Sequence, residues 1–470
     1  MEFVSLPSRS VLLFSTCLLL LSADALSLAE NQSPAARGFR ALRTHPFLPP
    51  DFDEEVLGKL WTTWPEPERS AAGQADAAMR RRLTFSYYGL ITDTAEAGQD
   101  AAEQGRSTHQ SKPLGYVLDE QGTWTMNCLA CHGGKVAGHV IPGLPNSHIA
   151  LQTLTEDVRL IKLQQRKKLS HLDLATLQLP LSTTDGTTNA VIFGVVLGTY
   201  RNPDMSVDTN RKLPPLIHHD LDAPPFWNVR KKRSLYADGH APKTPRPLMQ
   251  FLLLPRVSLA TLTEWEPQFA DILAWIESLE PPRYPFQIDR ELASIGEPVF
   301  FSHCARCHGS YGSESKYDQV TIDLQDVGTD PLRFRSLTRE HLQWVKDGWI
   351  SRFGADLVDL DPVGYVAPPL DGIWASAPYF HNGSVPTLWH VLHPDARPIV
   401  WKRTEDGYDR QNVGLEIKTF DKVPSTVKSA AHRRRYFDTT LPGKSPAGHT
   451  FPNKLDDEQK RALLEYLKTL

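Results

Sequence analysis

The sequence predicts a mainly α fold with little β, arranged as two units of one kind with long irregular loops. Three observations predict it. Apolar residues recur at helical spacing, most clearly over 262–279 and 455–470. The pattern Cys-x-x-Cys-His occurs twice, at 128–132 and 304–308. Proline and glycine number 37 and 29 in 470 residues, which shortens helices and lengthens the loops between them.

The repeated pattern carries the chemistry. It reads Cys128-Leu129-Ala130-Cys131-His132 and Cys304-Ala305-Arg306-Cys307-His308. The chain has five cysteines, and the fifth, Cys17, lies in an apolar leader, so every other cysteine belongs to a motif. This spacing predicts c-type haem attachment. Both sulfurs form thioethers with the porphyrin vinyls, and the next histidine stands under the iron as proximal ligand. Structural disulfides, a zinc site and a redox dithiol are the competing readings. A zinc site has no need of a histidine directly after each second cysteine. A redox dithiol sits near a βαβ pattern, which neither motif has. Two covalently bound haem c groups are therefore expected, in two cytochrome c-like haem domains.

Length allows two or three domains. A net charge of −4 argues against a nucleic-acid partner or an anionic membrane surface. Arg9, the apolar run Val11–Leu21 and Ala23-Asp24-Ala25 read as a signal peptide over 1–25. The run is too short to span a bilayer. Phe14-Ser15-Thr16 before Cys17 is a poor lipoprotein box. A periplasmic or secreted protein is expected, because bacterial c-type haem is attached outside the cytoplasm. No later segment predicts a membrane span.

Residues 26–110 read as a loop-rich extension, with helices over 51–61 and 75–88. The run Arg80-Arg81-Arg82 reads as a solvated face. The first haem domain is expected over 111–283, with a helix over 151–169 and an irregular stretch over 181–246. Pro281-Pro282 ends the helix over 262–279 and begins a linker. The second domain is expected over 284–470. There a helix leads directly into the motif, and a closing helix carries Asp456-Asp457 at its positive end. The motifs stand 304 − 128 = 176 residues apart, more than one minimal haem domain needs, so the first unit carries a large insertion.

His132 and His308 are the predicted proximal ligands. An open sixth position permits catalysis, whereas two firm ligands favour electron transfer. No methionine follows Met249, so the second haem is expected to take a histidine, from His303, His341, His381, His390, His393, His432 or His449. The first haem has Met205, Met249, His218, His219 and His240 to draw on.

Tyr365-Val-Ala-Pro-Pro-Leu-Asp-Gly-Ile-Trp-Ala-Ser-Ala-Pro-Tyr-Phe-His-Asn-Gly-Ser-Val-Pro-Thr-Leu388 resembles a hallmark of the dihaem cytochrome c peroxidase superfamily, in the version of its rubber-oxygenase-like branch. Leu441-Pro-Gly-Lys-Ser-Pro-Ala-Gly-His449 and Asp222-Ala-Pro-Pro-Phe-Trp227, followed by Arg230-Lys-Lys-Arg233, are similar to that branch too. The resemblance spans most of the mature chain and is strongest from about residue 285. It implies His449 as distal ligand of the second haem and His381 as a pocket histidine beside that haem. It implies Phe226 and Trp227 as the aromatic pair between the haems, Trp227 passing electrons or donating a hydrogen bond to oxygen. It implies His240 over the first iron, as a general acid–base. The rubber oxygenase has an apolar residue there, so a histidine tilts the expectation toward peroxide. The Arg230–Arg233 run reads as a stabiliser of negative charge, a propionate site or a solvated patch.

The expected function is a dihaem oxidoreductase of the peroxidase class. Electrons enter at the C-terminal haem from a small donor protein, a cytochrome or cupredoxin, and meet peroxide at the N-terminal haem. The alternatives are O₂-dependent cleavage of an apolar substrate and a non-enzymatic electron carrier. The wider superfamily often holds calcium between the haem units; no Asp-rich loop here argues for it.

Overall fold

The computed structural model describes residues 33–92, 112–208, 210–212, 217–313, 315–352 and 354–470. The expected signal peptide 1–25, with Cys17, and the expected 110/111 boundary lie outside them. Two helix crossings organise the chain. Pro34–Thr44 packs on Leu259–Ser278, and Arg290–His303 packs on Asp457–Leu467. Each helix starts on a side-chain cap: Ser33, Ser258, Asp289 and Asp456 accept from a backbone N–H of the first turn. At each crossing a glycine lets the backbones touch. A Cβ on Gly38 would stand 2.1 Å from the Asp271 carbonyl oxygen, and one on Gly296 would stand 2.1 Å from that of Ala462. An aromatic pair closes each crossing, Phe39 with Trp275 at 5.1 Å and Phe300 with Tyr466 at 5.3 Å. The repeat seen in the motifs therefore extends to the helices around them.

The helix of the first crossing lies in the segment 26–110 that read as an extension. Its described helix Pro34–Thr44 packs on the helix Leu259–Ser278 that follows the first motif. Phe52–Asp53 also pairs antiparallel with Thr123–Trp124, just before the first motif. Arg81 is no solvated residue either. It pairs with Glu54 at 2.8 Å and lies over the Phe85 and Trp124 rings.

The mainly α expectation is corrected. The structure is 44% helical and 14% strand, with six small antiparallel sheets among the described residues, and is mixed α/β. Most of these strands are two to four residues long. A period-2 pattern needs more residues than that to show in sequence. The longest pair, Val400–Asp409 with Gly414–Phe420, is rich in charged residues, and a register shift between Arg403 and Tyr408 interrupts its alternation.

Buried polar contacts join the units. Lys444 Nζ reaches Asp220 at 2.9 Å with both side chains almost fully buried. Arg434 reaches Glu156 at 2.7 Å. Burial pushes the Asp220 carboxyl up, but bonds from His218, Lys444 and Thr183 more than offset it and hold it well below the usual range. Its stabilising contribution is therefore present above the ordinary carboxylate pKa and lost as pH falls through the lower folded value. Lys444→Met strands the buried carboxylate and is expected to cost about 3–5 kcal/mol at pH 7. The melting-temperature gap to the parent protein should narrow toward pH 4, where Asp220 of the variant is protonated. A gap independent of pH contradicts this reading.

Candidate haem sites

Each motif forms one helical turn, Leu129–His132 and Ala305–His308. The His132 N–H donates to the Cys128 carbonyl and the His308 N–H to the Cys304 carbonyl, both at 3.0 Å. That turn brings the histidine round to the side of the first cysteine. The two imidazoles are fixed alike. His132 Nδ1 lies 3.1 Å from the Pro224 carbonyl oxygen, and His308 Nδ1 lies 2.8 Å from that of Pro368. A carbonyl only accepts, so each Nδ1 carries the proton and each Nε2 keeps its lone pair for a metal. Burial lowers His132 to about 4 and lowers His308 too, which keeps both rings neutral, as ligation requires. Both carbonyls belong to an Ala-Pro-Pro tripeptide, 223–225 and 367–369. That repeat is plain in the sequence.

The four motif cysteines are unpaired. Burial raises Cys128 to about 11 and both Cys131 and Cys304 to about 12. Thiols so reluctant to ionise do not suit a nucleophilic dithiol. Sulfurs and histidine on one turn, with the ring preset by a carbonyl, do suit haem c.

At the second motif the His449 ring faces His308, with centroids 6.1 Å apart. One iron between two imidazoles needs roughly 2 Å to each nitrogen and about 1 Å more to each ring centre, so about 6 Å in all. His449 Nδ1 is buried without a protein partner. Its loop is held from several sides. Asn382 Nδ2 donates to the Gly443 and Ser445 carbonyls, both at 3.1 Å. Arg397 Nη1 donates to the Pro446 and Gly448 carbonyls at 2.6 and 2.7 Å. The His449 N–H donates to the Val327 carbonyl at 2.6 Å, and the Ser445 N–H to Asp330 Oδ2 at 3.0 Å. Together they hold His449 at φ 46°, a left-handed value unusual for a side-chain-bearing residue.

Four of the other candidate histidines are engaged elsewhere. His341 accepts from the Thr338 N–H, His390 bonds Thr387, His393 stacks on Trp389, and His432 meets Glu68. His381 stacks on Tyr365 at 4.4 Å. Burial first, then the Arg333 charge, lowers it to about 3. It thus lies near the polar cluster described next.

That cluster borders the first motif. Tyr236 lies within electrostatic range of the Cys128 sulfur and stacks on His240 at 4.5 Å and 15°. His240 Nδ1 is 2.7 Å from Asp238 Oδ1, and Arg333 Nη2 is 3.0 Å from Asp238 Oδ2. All three are more than nine-tenths buried. Burial would raise the Asp238 carboxyl, but the Arg333 charge and His240 hold it well below the usual range. The carboxylate therefore accepts from His240 Nδ1, and Nε2 is the ring nitrogen that it leaves uncommitted. Neither Asp238 nor Arg333 was singled out from sequence. Met205 and Met249 sit in the apolar cluster against which Cys128 packs.

Phe226 and Trp227 lie between the motifs. Phe226 stacks on His132 at 4.0 Å and 18°. Trp227 Nε1 donates to the Asp371 carbonyl at 2.7 Å, so its single donor is engaged and none is left for oxygen. Asn228 Nδ2 donates to the Pro369 carbonyl at 3.0 Å, and Lys231 Nζ reaches Asp371 at 2.8 Å. The two loops that orient the proximal rings are thus hydrogen-bonded to one another. Of the basic run, Arg230 pairs with Glu280 and Lys231 with Asp371.

Replacing His449 with Ala should turn a low-spin absorption spectrum partly high-spin. Arg397→Met keeps the ring but removes the bonds that position it, and should give the same change in part. Two unchanged spectra would refute the pairing of His308 with His449.

A profile of the RoxA-like, cytochrome c-like family matches residues 364–402, from the strand before Pro368 through His381-Asn382-Gly383. The uncharacterized protein y4iM of Sinorhizobium fredii is 26% identical over 323 residues, 58% of this chain and 70% of the relative. The uncharacterized protein y4iJ of the same organism is 29% identical over 291 residues, and the match spans less than half of either chain, 47%. The matched segment is similar to RoxA-like c-type cytochromes, a relation that implies covalently bound haem c and haem oxidoreductase chemistry in general.

Proposed function

We propose that the chain is a dihaem c-type cytochrome that works as a peroxidase-class oxidoreductase in the periplasm. Its first unit holds the reactive haem through Cys128, Cys131 and His132. Its second unit holds an electron-transfer haem through Cys304, Cys307, His308 and His449. The observation that carries this reading is the buried Asp238–His240 pair beside the first motif. Haem, when bound, supplies one-electron redox chemistry at its iron.

The chain's own groups supply the rest. Reduction of peroxide to two waters consumes two electrons and two protons. His240 Nε2, free because Asp238 holds the Nδ1 proton, takes a proton from one peroxide oxygen and returns it to the other. Asp238 stabilises the imidazolium formed in between. A small donor protein delivers electrons at the second haem. They then pass the interlocked proximal loops, where the ring of Phe226 lies on His132 and that of Trp227 packs in the second unit's core. O₂-dependent cleavage of an apolar substrate needs an apolar pocket, and a buried carboxylate, imidazole and guanidinium make a poor one.

Steady-state turnover of hydrogen peroxide with a reduced cytochrome tests the reading. His240→Leu is expected to lower peroxide turnover by about 10²–10⁴-fold. Asp238→Asn should lower it less, with the haem absorption preserved. Turnover unaffected by either change, or absent in the parent protein, would overturn the proposal.

A further inference from the structure

The two motif turns are supported in different ways. The helix Arg290–His303 runs straight into the second turn, and the Cys304 N–H donates to the Phe300 carbonyl at 2.8 Å. The first turn, Leu129–His132, follows the strand Thr123–Met126 instead of a helix. A single helical turn is not stable by itself. Two asparagines hold this one. Asn127 Oδ1 accepts from the Leu129 N–H at 2.8 Å, at the start of the turn. Asn146, 3% exposed, holds the other end. Its Nδ2 donates to the Ala130 and Gly89 carbonyls, both at 2.9 Å, and its N–H donates to the Cys131 carbonyl at 2.8 Å.

The residues around Asn146 belong to the first unit but are gripped by the second. Leu144, 1% exposed, packs in the apolar cluster that holds Trp374 and Leu463. Arg403 Nη1 donates to the Ser147 carbonyl, and to Ser147 Oγ at 3.0 Å. His148 Nε2 lies 2.9 Å from the Glu405 carbonyl, so Nε2 carries the proton and donates. Arg403 is the last residue of the strand Val400–Asp409 in register before the shift against Gly414–Phe420, and Glu405 lies within the shifted stretch. Irregularities of this kind re-aim what a strand presents. Here the hairpin turns two hydrogen bonds onto the loop 144–148.

We propose that Arg403 is a positioning residue for the first haem. Through Ser147, the neighbour of Asn146, it keeps the turn Leu129–His132 seated. The hairpin of the second unit thereby sets the orientation of the proximal ligand of the first iron. A guanidinium suits the task, because a charged donor makes the stronger bond. Haem at the first motif is required for this role; peroxide chemistry is not.

Backbone amide exchange and a redox titration of the holoprotein test the role together. Arg403→Met is expected to speed exchange of the His132 and Asn146 amides about tenfold or more. The midpoint potential of the high-spin haem should shift with it, since the orientation of an axial imidazole tunes its iron. The potential of the low-spin haem should stay in place. Arg403→Lys keeps a charged donor and should restore part of both readouts. Arg434→Met is the control: that side chain also joins the units, but it bonds Thr153 and Glu156 on the helix Leu151–Gln164. It should leave both readouts at parent values. If Arg403→Met does not accumulate as folded holoprotein, Arg403→Lys carries the test, with a smaller change of the same kind. Parent-like exchange and potential in the Arg403 variants overturn the proposal. Equal changes in Arg434→Met overturn it too, because they mean a general loosening of the interface. The expected shifts in a protein that turns over no peroxide would sink the functional reading and leave this role standing.

Discussion

The hydrogen bond from an imidazole Nδ1 to a proline carbonyl is the contact on which the rest of this molecule depends. It occurs twice, at His132 with Pro224 and at His308 with Pro368. It does for each ring what an outer-shell partner does in any metal site, fixing tautomer and orientation before the metal is considered. Proline suits the task. It has no N–H to compete for that carbonyl, and its φ is fixed, so the loop holds its shape without help from a sheet. The cross-bonds from Trp227 to Asp371 and from Asn228 to Pro369 then tie the two ring supports together.

The same economy governs the distal sides. Residues 327–333 serve both. Val327 and Asp330 hold the loop that presents His449 to His308, and Arg333 reaches across to Asp238 and His240. Buried pairs such as Lys444 with Asp220 secure the assembly of the units. The facing pair His308 and His449 is held by contacts distant in sequence. Asn382 and Arg397 reach carbonyls 49 to 63 residues away.

Much of this was legible beforehand. The Cys-x-x-Cys-His spacing is local chemistry, and the helices at 262–279 and 455–470 carried clear periodicity. The resemblance points to His449 and His240, whose roles belong to the proposed function. What escaped notice has physical causes. The crossing helix Pro34–Thr44 lies 84 residues before its motif, whereas the helix of the second unit adjoins its own. The small sheets are too short to show a pattern. Asp238 and Arg333 are 95 residues apart and unremarkable alone; only the fold makes them a pair. The repeated Ala-Pro-Pro was there to be found, because a recurring tripeptide after each recurring motif marks a recurring support.

The central claim is that two haems are bound with unequal ligation, one closed by His308 and His449 and one open on the side of His240. Intact mass together with electron paramagnetic resonance of the oxidised holoprotein tests it most directly. The account predicts a mass gain of two haem groups and equal amounts of low-spin and high-spin ferric iron. A gain of one haem, or two low-spin signals and no high-spin one, would contradict it.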